Sequence, residues 1–187
     1  NKLLLIFSIV FSIGFCSNIF AQTDYFWRDN TANGNWDGSA NGGHWWSNSA
    51  QNTPGFGNIK FNNTHESTMN NNVTNLNTHA IYFLTGSSAR TISGNAIQLY
   101  DNNSSDPVIK NETSNNQTIN IDIKGDGDAT DPLLLEAHSG DFIFKKINNN
   151  GSPIWVNSDN GKTIKFTDVI SGSGAFVNRN NTYSKFS

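Results

Sequence analysis

The chain repeats itself. Moved back by about 21 residues, Gly161–Val177 lands on a related stretch: Gly161 on Gly140, Ile164 on Ile143, Gly172 on Gly151, Ser173 on Ser152, Phe176 on Trp155 and Val177 on Val156. Repetition at a fixed period of about 20–50 residues marks a stacked architecture, because no single unit buries its apolar face alone. Two series extend the pattern. The first is Ala96–Leu99, Thr118–Ile121, Asp141–Phe144 and Thr163–Phe166. In it Ile97, Ile119, Phe142 and Ile164 recur at about 22 residues, with Leu99, Ile121, Phe144 and Phe166 two places on. Alternation with period two puts both members of each pair on one face. The second series is Pro107–Lys110, Pro132–Leu135, Pro153–Val156 and Gly174–Val177. Proline suits the first position of a strand, where no ladder hydrogen bond is lost.

The spacing predicts an all-β parallel β-helix over 59–187, with two strands per turn, Gly or Asn at the corners, and columns of like residues inside. Short strands every ~8–12 residues also suit a β-sandwich, the main alternative. A sandwich gives no reason for prolines to recur in phase. Composition agrees with an all-β reading. Hydrophobic residues are 35% and charged residues 14%, with 16 Gly, and much of the remainder is Asn, Ser and Thr. Helix formers are scarce. At 187 residues the chain is one domain, or one domain with a small appendage. A net charge of −3 without a basic patch argues against nucleic acid as a partner.

The first segment reads as an address. Asn1-Lys2 precedes an apolar run from Leu3 to Phe15, and Ala21 closes the stretch. That is a secretory signal peptide over 1–21, cleaved after Ala21. It places the mature chain at the extracellular or outer-membrane surface with no membrane span. The one Cys, Cys16, lies in the segment to be removed, so neither a disulfide nor a Cys-ligated metal is expected.

The next stretch, 22–58, holds four of the five Trp. Trp36, Trp45 and Trp46 offer a carbohydrate platform, since aromatic rings stack on sugar C–H faces. They equally suit a Trp-rich N-terminal cap over the strand-edged end that a solenoid must cover, and the cap is preferred.

Chemistry has few candidates. Asp126, Asp128 and Asp131 lie in an acidic stretch with Asp122 and Glu136, where oxygen density invites Ca²⁺. Thr130 at the fifth place and Ala137 at the twelfth fail the EF-hand spacing, and the stretch also reads as a solvated turn on a longer coil. His44, His65, His79 and His138 are scattered, without zinc spacing. Ser171–Gly174 reads as a β corner rather than a nucleophile elbow. No catalysis and no obligatory cofactor are expected. Asn148–Asn150 suggests stacked amide ladders at the corners.

Ile170–Gly174, then Ala175–Val177 and Asn180–Ser184, resembles the autotransporter-associated β-strand repeat of bacterial passenger proteins. Thr91–Leu99 and the Trp-rich opening resemble the N-terminal part of such proteins. The resemblance implies a right-handed β-helix displayed at, or released from, a bacterial surface. It implies an adhesive or structural role, with an extracellular surface or a polysaccharide as partner and no defined enzyme activity. The usual Gly-x-Gly-Thr-Leu strand is missing and Lys185 stands where Gly is usual. The chain is therefore expected to be the N-terminal part of a longer polypeptide.

Overall fold

A computed structural model describes residues 22–28, 34–36, 45–47, 50–101, 105–159, 161–179 and 185–186. The expected signal peptide and the Asn180–Ser184 motif lie outside the described residues. The strands follow from alternation: Gln117–Lys124 buries every second side chain, as do Gly57–Phe61, Leu133–Ala137 and Ile154–Ser158. Each strand thus has an inner apolar face and an outer polar one.

Chain order is β1 (Thr23–Trp27), then β2 (Trp45–Ser47) and β3 (Ala50–Asn52), which pair as an antiparallel hairpin. Coiling continues with β4 (Gly57–Phe61), β5 (Thr68–Asn71) and β6 (Leu76–Thr78), then β7 (Ala80–Phe83), β8 (Arg90–Gly94) and β9 (Ile97–Leu99). Next come β10 (Val108–Asn111) with the long β11 (Gln117–Lys124), and β12 (Leu133–Ala137) with the long β13 (Phe142–Asn148). The described chain closes with β14 (Ile154–Ser158), β15 (Ile164–Phe166), β16 (Ile170–Ser171), β17 (Phe176–Asn178) and β18 (Lys185–Phe186). Strands of successive coils pair in parallel throughout. The fold is a parallel β-solenoid of about five turns, all-β, with no helix among the described residues. The sandwich alternative is excluded, because only β1–β2 and β2–β3 run antiparallel.

Each turn has three faces rather than the expected two. The first carries β1, β4, β7, β10, β12, β14 and β17, extended past β1 by β2 and β3. The second carries β5, β8, β15, β18 and the leading halves of β11 and β13. The third carries β6, β9, β16 and the trailing halves of β11 and β13. In β11 the corner between the second and third faces lies inside one continuous strand, at a register shift between Ile119 and Asp122, whereas between β8 and β9 it is the Gly94-Asn95 turn.

Register corrects the expected columns. Phe142 does sit opposite Ile164, and Phe144 opposite Phe166. Ile119, however, faces Ile92 and Phe144, and Ile97 faces Ile123. These slips are even-numbered, so all eight residues of the first series still point inward and are buried. In the second series Leu133 faces Ile154, as the prolines imply, but Val108 faces Leu134 and Phe176 faces Ile154. That one-residue slip at the end sends Val177 outward, 39% exposed, instead of inward with Val156.

The core is a column of rings along the axis. Trp27, Trp36 and Trp45 meet edge to face at 5.1 and 5.2 Å, and Trp45 meets Phe61 at 5.3 Å. Phe61 stacks on Phe83 at 5.0 Å, and the series runs on through Phe142, Phe144, Phe166 and Phe176 at 5.0–5.8 Å. Such pairs add to the energy of burial.

Candidate functional site: the outer face of the first sheet

Parallel, in-register stacking turns outward positions into columns with a spacing of about 4.8 Å. Two columns run along the first face. Ala80, Val108, Leu134, Trp155 and Val177 form an apolar one. Beside it run Phe26, Lys60, Tyr82, Lys110, Glu136 and Asn157. Ala80 is fully covered and Val108 nearly so, whereas Leu134 and Trp155 are half-buried.

The charges of this face are paired with one another. Lys60 Nζ lies 2.6 Å from Asp24 Oδ2 and over the rings of Phe26 and Tyr82. Lys110 Nζ lies 2.9 Å from Glu112 and 3.8 Å from Glu136. His138 Nε2 lies 3.2 Å from Glu136 Oε2, and its Nδ1 lies 3.1 Å from Asp159 Oδ2. A doubly protonated imidazole donates to both carboxylates; a neutral one serves only one. Arg179 lies over Trp155 at 4.2 Å. Desolvation pushes the Tyr82 phenol above its ordinary pKa, against the pull of Lys110. For Lys110 desolvation is the largest influence and lowers the pKa, but Glu112 and then Glu136 and Tyr82 outweigh it and the net shift is upward.

Two cavities lie along the columns. One of about 250 Å³ sits among Leu134, Glu136, Trp155, Asn157 and Arg179. The other, about 450 Å³, is bounded by Tyr82, Lys110, Leu134, Glu136, His79 and the 105–106 segment. His79 Nδ1 donates to the Tyr100 carbonyl at 2.9 Å, which leaves Nε2 to accept from Ser105 Oγ at 3.1 Å. The wall arises because two coils are long: Ile81 to Ile109 and Ile109 to Leu135 take 28 and 26 residues, against 21 from Leu135 to Val156.

The residues singled out from sequence lie elsewhere. Trp36 and Trp45 are fully buried in the ring cluster, so neither has a face open to a sugar. Their indole N–H groups find no acceptor among the described residues. Trp46 is half-buried, with Arg28 over its ring at 5.9 Å. β2 is hydrogen-bonded along the outer edge of β1, opposite the edge that takes β4.

Asp126, Asp128 and Asp131 do not converge on a cation position: among the described residues no group of three or more His, Cys, Asp or Glu is placed to hold a metal ion. The Asp126 and Asp128 carboxylates accept hydrogen bonds from nearby protein groups. Asp126 accepts from Ser152 Oγ at 2.7 Å and from the amides of Asp128 and Asp101. Asp128 Oδ1 accepts from the Thr130 amide at 2.8 Å and its hydroxyl at 2.7 Å, which holds its pKa down. Asp131 is shifted upward by desolvation and by Asp101, Asp128, Asp126 and Asp106. The bonds to the Asp128 and Thr130 amides are turn-forming, whereas those from Ser152 and Asp101 tie the turn to neighbouring coils.

Sequence reading passed over the face itself. Tyr82, Lys110, Glu136, Trp155 and Arg179 lie far apart in the chain and become neighbours only through the coil register. His138 read as a stray histidine for the same reason. The signal available was the set of outward positions in the second series, beside each buried Ile or Leu.

No family model, no curated protein and no solved structure matches this chain. No helix among the described residues is long and apolar enough to cross a membrane.

Proposed function

We propose that this chain is a secreted or surface-displayed bacterial β-solenoid, of the autotransporter-associated passenger type, with an adhesive or structural role and no catalytic step. The observation that carries the reading is the first face: apolar and self-paired polar columns run side by side over successive coils. A rigid rod presenting such a surface offers many weak contacts at fixed spacing, which is what adhesion by repetition requires. The Leu3–Phe15 run supports export, and the Ser171–Gly174 corner supports the passenger likeness. Of the three Trp that the alternative, a carbohydrate-binding module on the Trp-rich opening, relies on, Trp36 and Trp45 are fully buried and Trp46 is partly open.

The test is display of the full chain on a Gram-negative host. Cells carrying it should adhere to one another and to coated wells more than cells carrying an empty anchor. A Leu134→Ser/Trp155→Ala double variant, still folded by circular dichroism, should lose at least about half of that adhesion, because both side chains are half-exposed on the outer face. Unchanged adhesion in the folded double variant, or none by the parent, overturns the reading.

A further inference from the structure

A second concavity lies outside the third face, on a different side of the rod from the columns above. We propose that it is a carbohydrate subsite, taking one or two pyranose units of a hydroxyl-rich polysaccharide. The proposal rests on the adhesive reading only for its biological setting; its chemistry stands on the cavity.

The cavity measures about 480 Å³ and is lined chiefly by Asn75, Asn77, Asn95, Gln98, Tyr100 and Lys124. Among the described residues β6 is the terminal strand of the third face and pairs with β9 alone, and the cavity lies at that edge. Asn77 stands opposite Gln98, and Gln98 opposite Lys124, so three coils each contribute one outward polar group in a line. Asn75 occupies the left-handed region at φ 53°, which asparagine tolerates, and this turn closes one end.

The lining selects its ligand by hydrogen-bond type. A carboxamide offers two N–H donors and an acceptor oxygen in one plane. A sugar hydroxyl both donates and accepts, so adjacent hydroxyls match adjacent amides without net charge. Asn75 and Asn77 are exposed, and their side-chain amides make no hydrogen bond among the described residues. Asn95 gives one donor to the Val73 carbonyl at 3.3 Å, and Gln98 one to the Gly125 carbonyl at 3.5 Å; both keep their oxygens available. Tyr100 supplies a ring at the rim, in tilted contact with Phe56 at 6.3 Å, and Phe56 is 55% exposed. The Tyr100 ring, which lines the cavity, offers an apolar face to pyranose C–H groups. Among the described residues no carboxylate lines the cavity, and Lys124 is its single cation. One cation is too little for a polyanionic backbone such as nucleic acid. The polar lining is equally unsuited to an apolar peptide side chain.

The test uses the exported protein in native gels cast with laminarin, xyloglucan, alginate or polygalacturonate. Retardation in at least one gel is expected. Tyr100→Ala and the Asn77→Ala/Gln98→Ala double variant should each weaken it by about tenfold or more in apparent Kd. Trp46→Ala and Trp155→Ala, outside the cavity, should leave it unchanged. Lys124→Ala distinguishes the ligand source: loss only in the alginate and polygalacturonate gels assigns a uronic acid unit, and no change assigns a neutral one. No retardation in any gel overturns the proposal. So does retardation that survives both cavity variants, or that vanishes with Trp46→Ala or Trp155→Ala. The adhesion assay on Leu134 and Trp155 reads the other face, so the two readings fail separately.

Discussion

Arg90 is buried, 2% exposed, in a chain that has few cations to spare. Its guanidinium donates to the carbonyls of Asn63, His65 and Glu66 and to Asn63 Oδ1, and it lies over Phe61 at 4.9 Å. Asn63 in turn donates to the Trp27 carbonyl, and Trp27 Nε1 donates to Glu66 at 2.7 Å. One side chain therefore fixes the corner after β4 and ties it to β1. Burial against carbonyls rather than a tight counter-ion lowers the Arg90 pKa to about 10, with Glu66 opposing the shift. Truncation takes the Arg90 donor from the part-buried carbonyls of His65 and Glu66, while the Asn63 carbonyl keeps the Ser88 amide. Arg90→Met should cost about 3 kcal/mol or more, and Arg90→Lys nearly as much, because an ammonium cannot span the fork of acceptors. Arg179→Met, on an exposed site, should stay within about 0.5 kcal/mol. Urea midpoints decide it, and near-equal midpoints for Arg90→Met and the parent would discard this assignment. In the sequence Arg90 was only one charge in a total. Its role depends on a corner whose carbonyls turn inward, which no local pattern announces.

The strands were legible, and their exact partners were not. Period-two alternation marked Ile97, Ile119, Phe142 and Ile164 as inward, and all are buried. A slip of two residues leaves such a pattern intact, so hydrophobic alternation alone does not separate Ile119–Phe142 from the observed Ile119–Phe144 pairing. Corners decide the register. Expected amide ladders at Asn148–Asn150 are replaced by something more local. Asn149 is 2% exposed; its Nδ2 donates to the Gly174 carbonyl at 2.8 Å and its Oδ1 accepts from the amides of Gly151 and Gly174. Asn111 does the same at another corner, donating to the carbonyls of Asn115 and Asp141 and accepting from the Thr113 amide. Each buried amide staples its own turn to the next coil. The neighbouring glycine leaves room for it: a Cβ on Gly172, at φ 107°, would stand 1.8 Å from Asn149 Oδ1. Asn149→Ala should therefore cost about 2 kcal/mol, by orphaning buried backbone groups. Asn120→Ala, on the outside of β11, should cost under about 0.5 kcal/mol. If the two variants unfold at the same denaturant concentration, the corner amides are not what holds the register.

At the scale of the whole molecule, the ring column and the coil ladder make different demands on cooperativity. A solenoid in which each coil touches only its neighbours loses stability locally when one end is damaged. A continuous column of rings, from Trp27, Trp36 and Trp45 through Phe61 and Phe83 to Phe176, spreads the loss by repacking. Magnitudes favour the local outcome. Trp45→Ala removes a fully buried indole, a loss of about 3–5 kcal/mol, and among the described residues its ring partners are Trp27, Trp36 and Phe61. The next link, Phe61 to Phe83, is a stacked pair of the kind worth about 1 kcal/mol beyond burial, so little of the loss passes along it. Hydrogen exchange on Trp45→Ala should show protection falling steeply in β1 and β4, partly in β7, and hardly at all in β12 and β14. The same substitution made in mid-column, Phe142→Ala, should lower protection on both sides of β13, because Phe142 touches both Phe83 and Phe144. A uniform fall across every coil in Trp45→Ala would mean that the rod unfolds as one unit and that the N-terminal rings stabilise all of it. The graded result would make them a local closure of the first coils, and the rod beyond them a stack that holds itself.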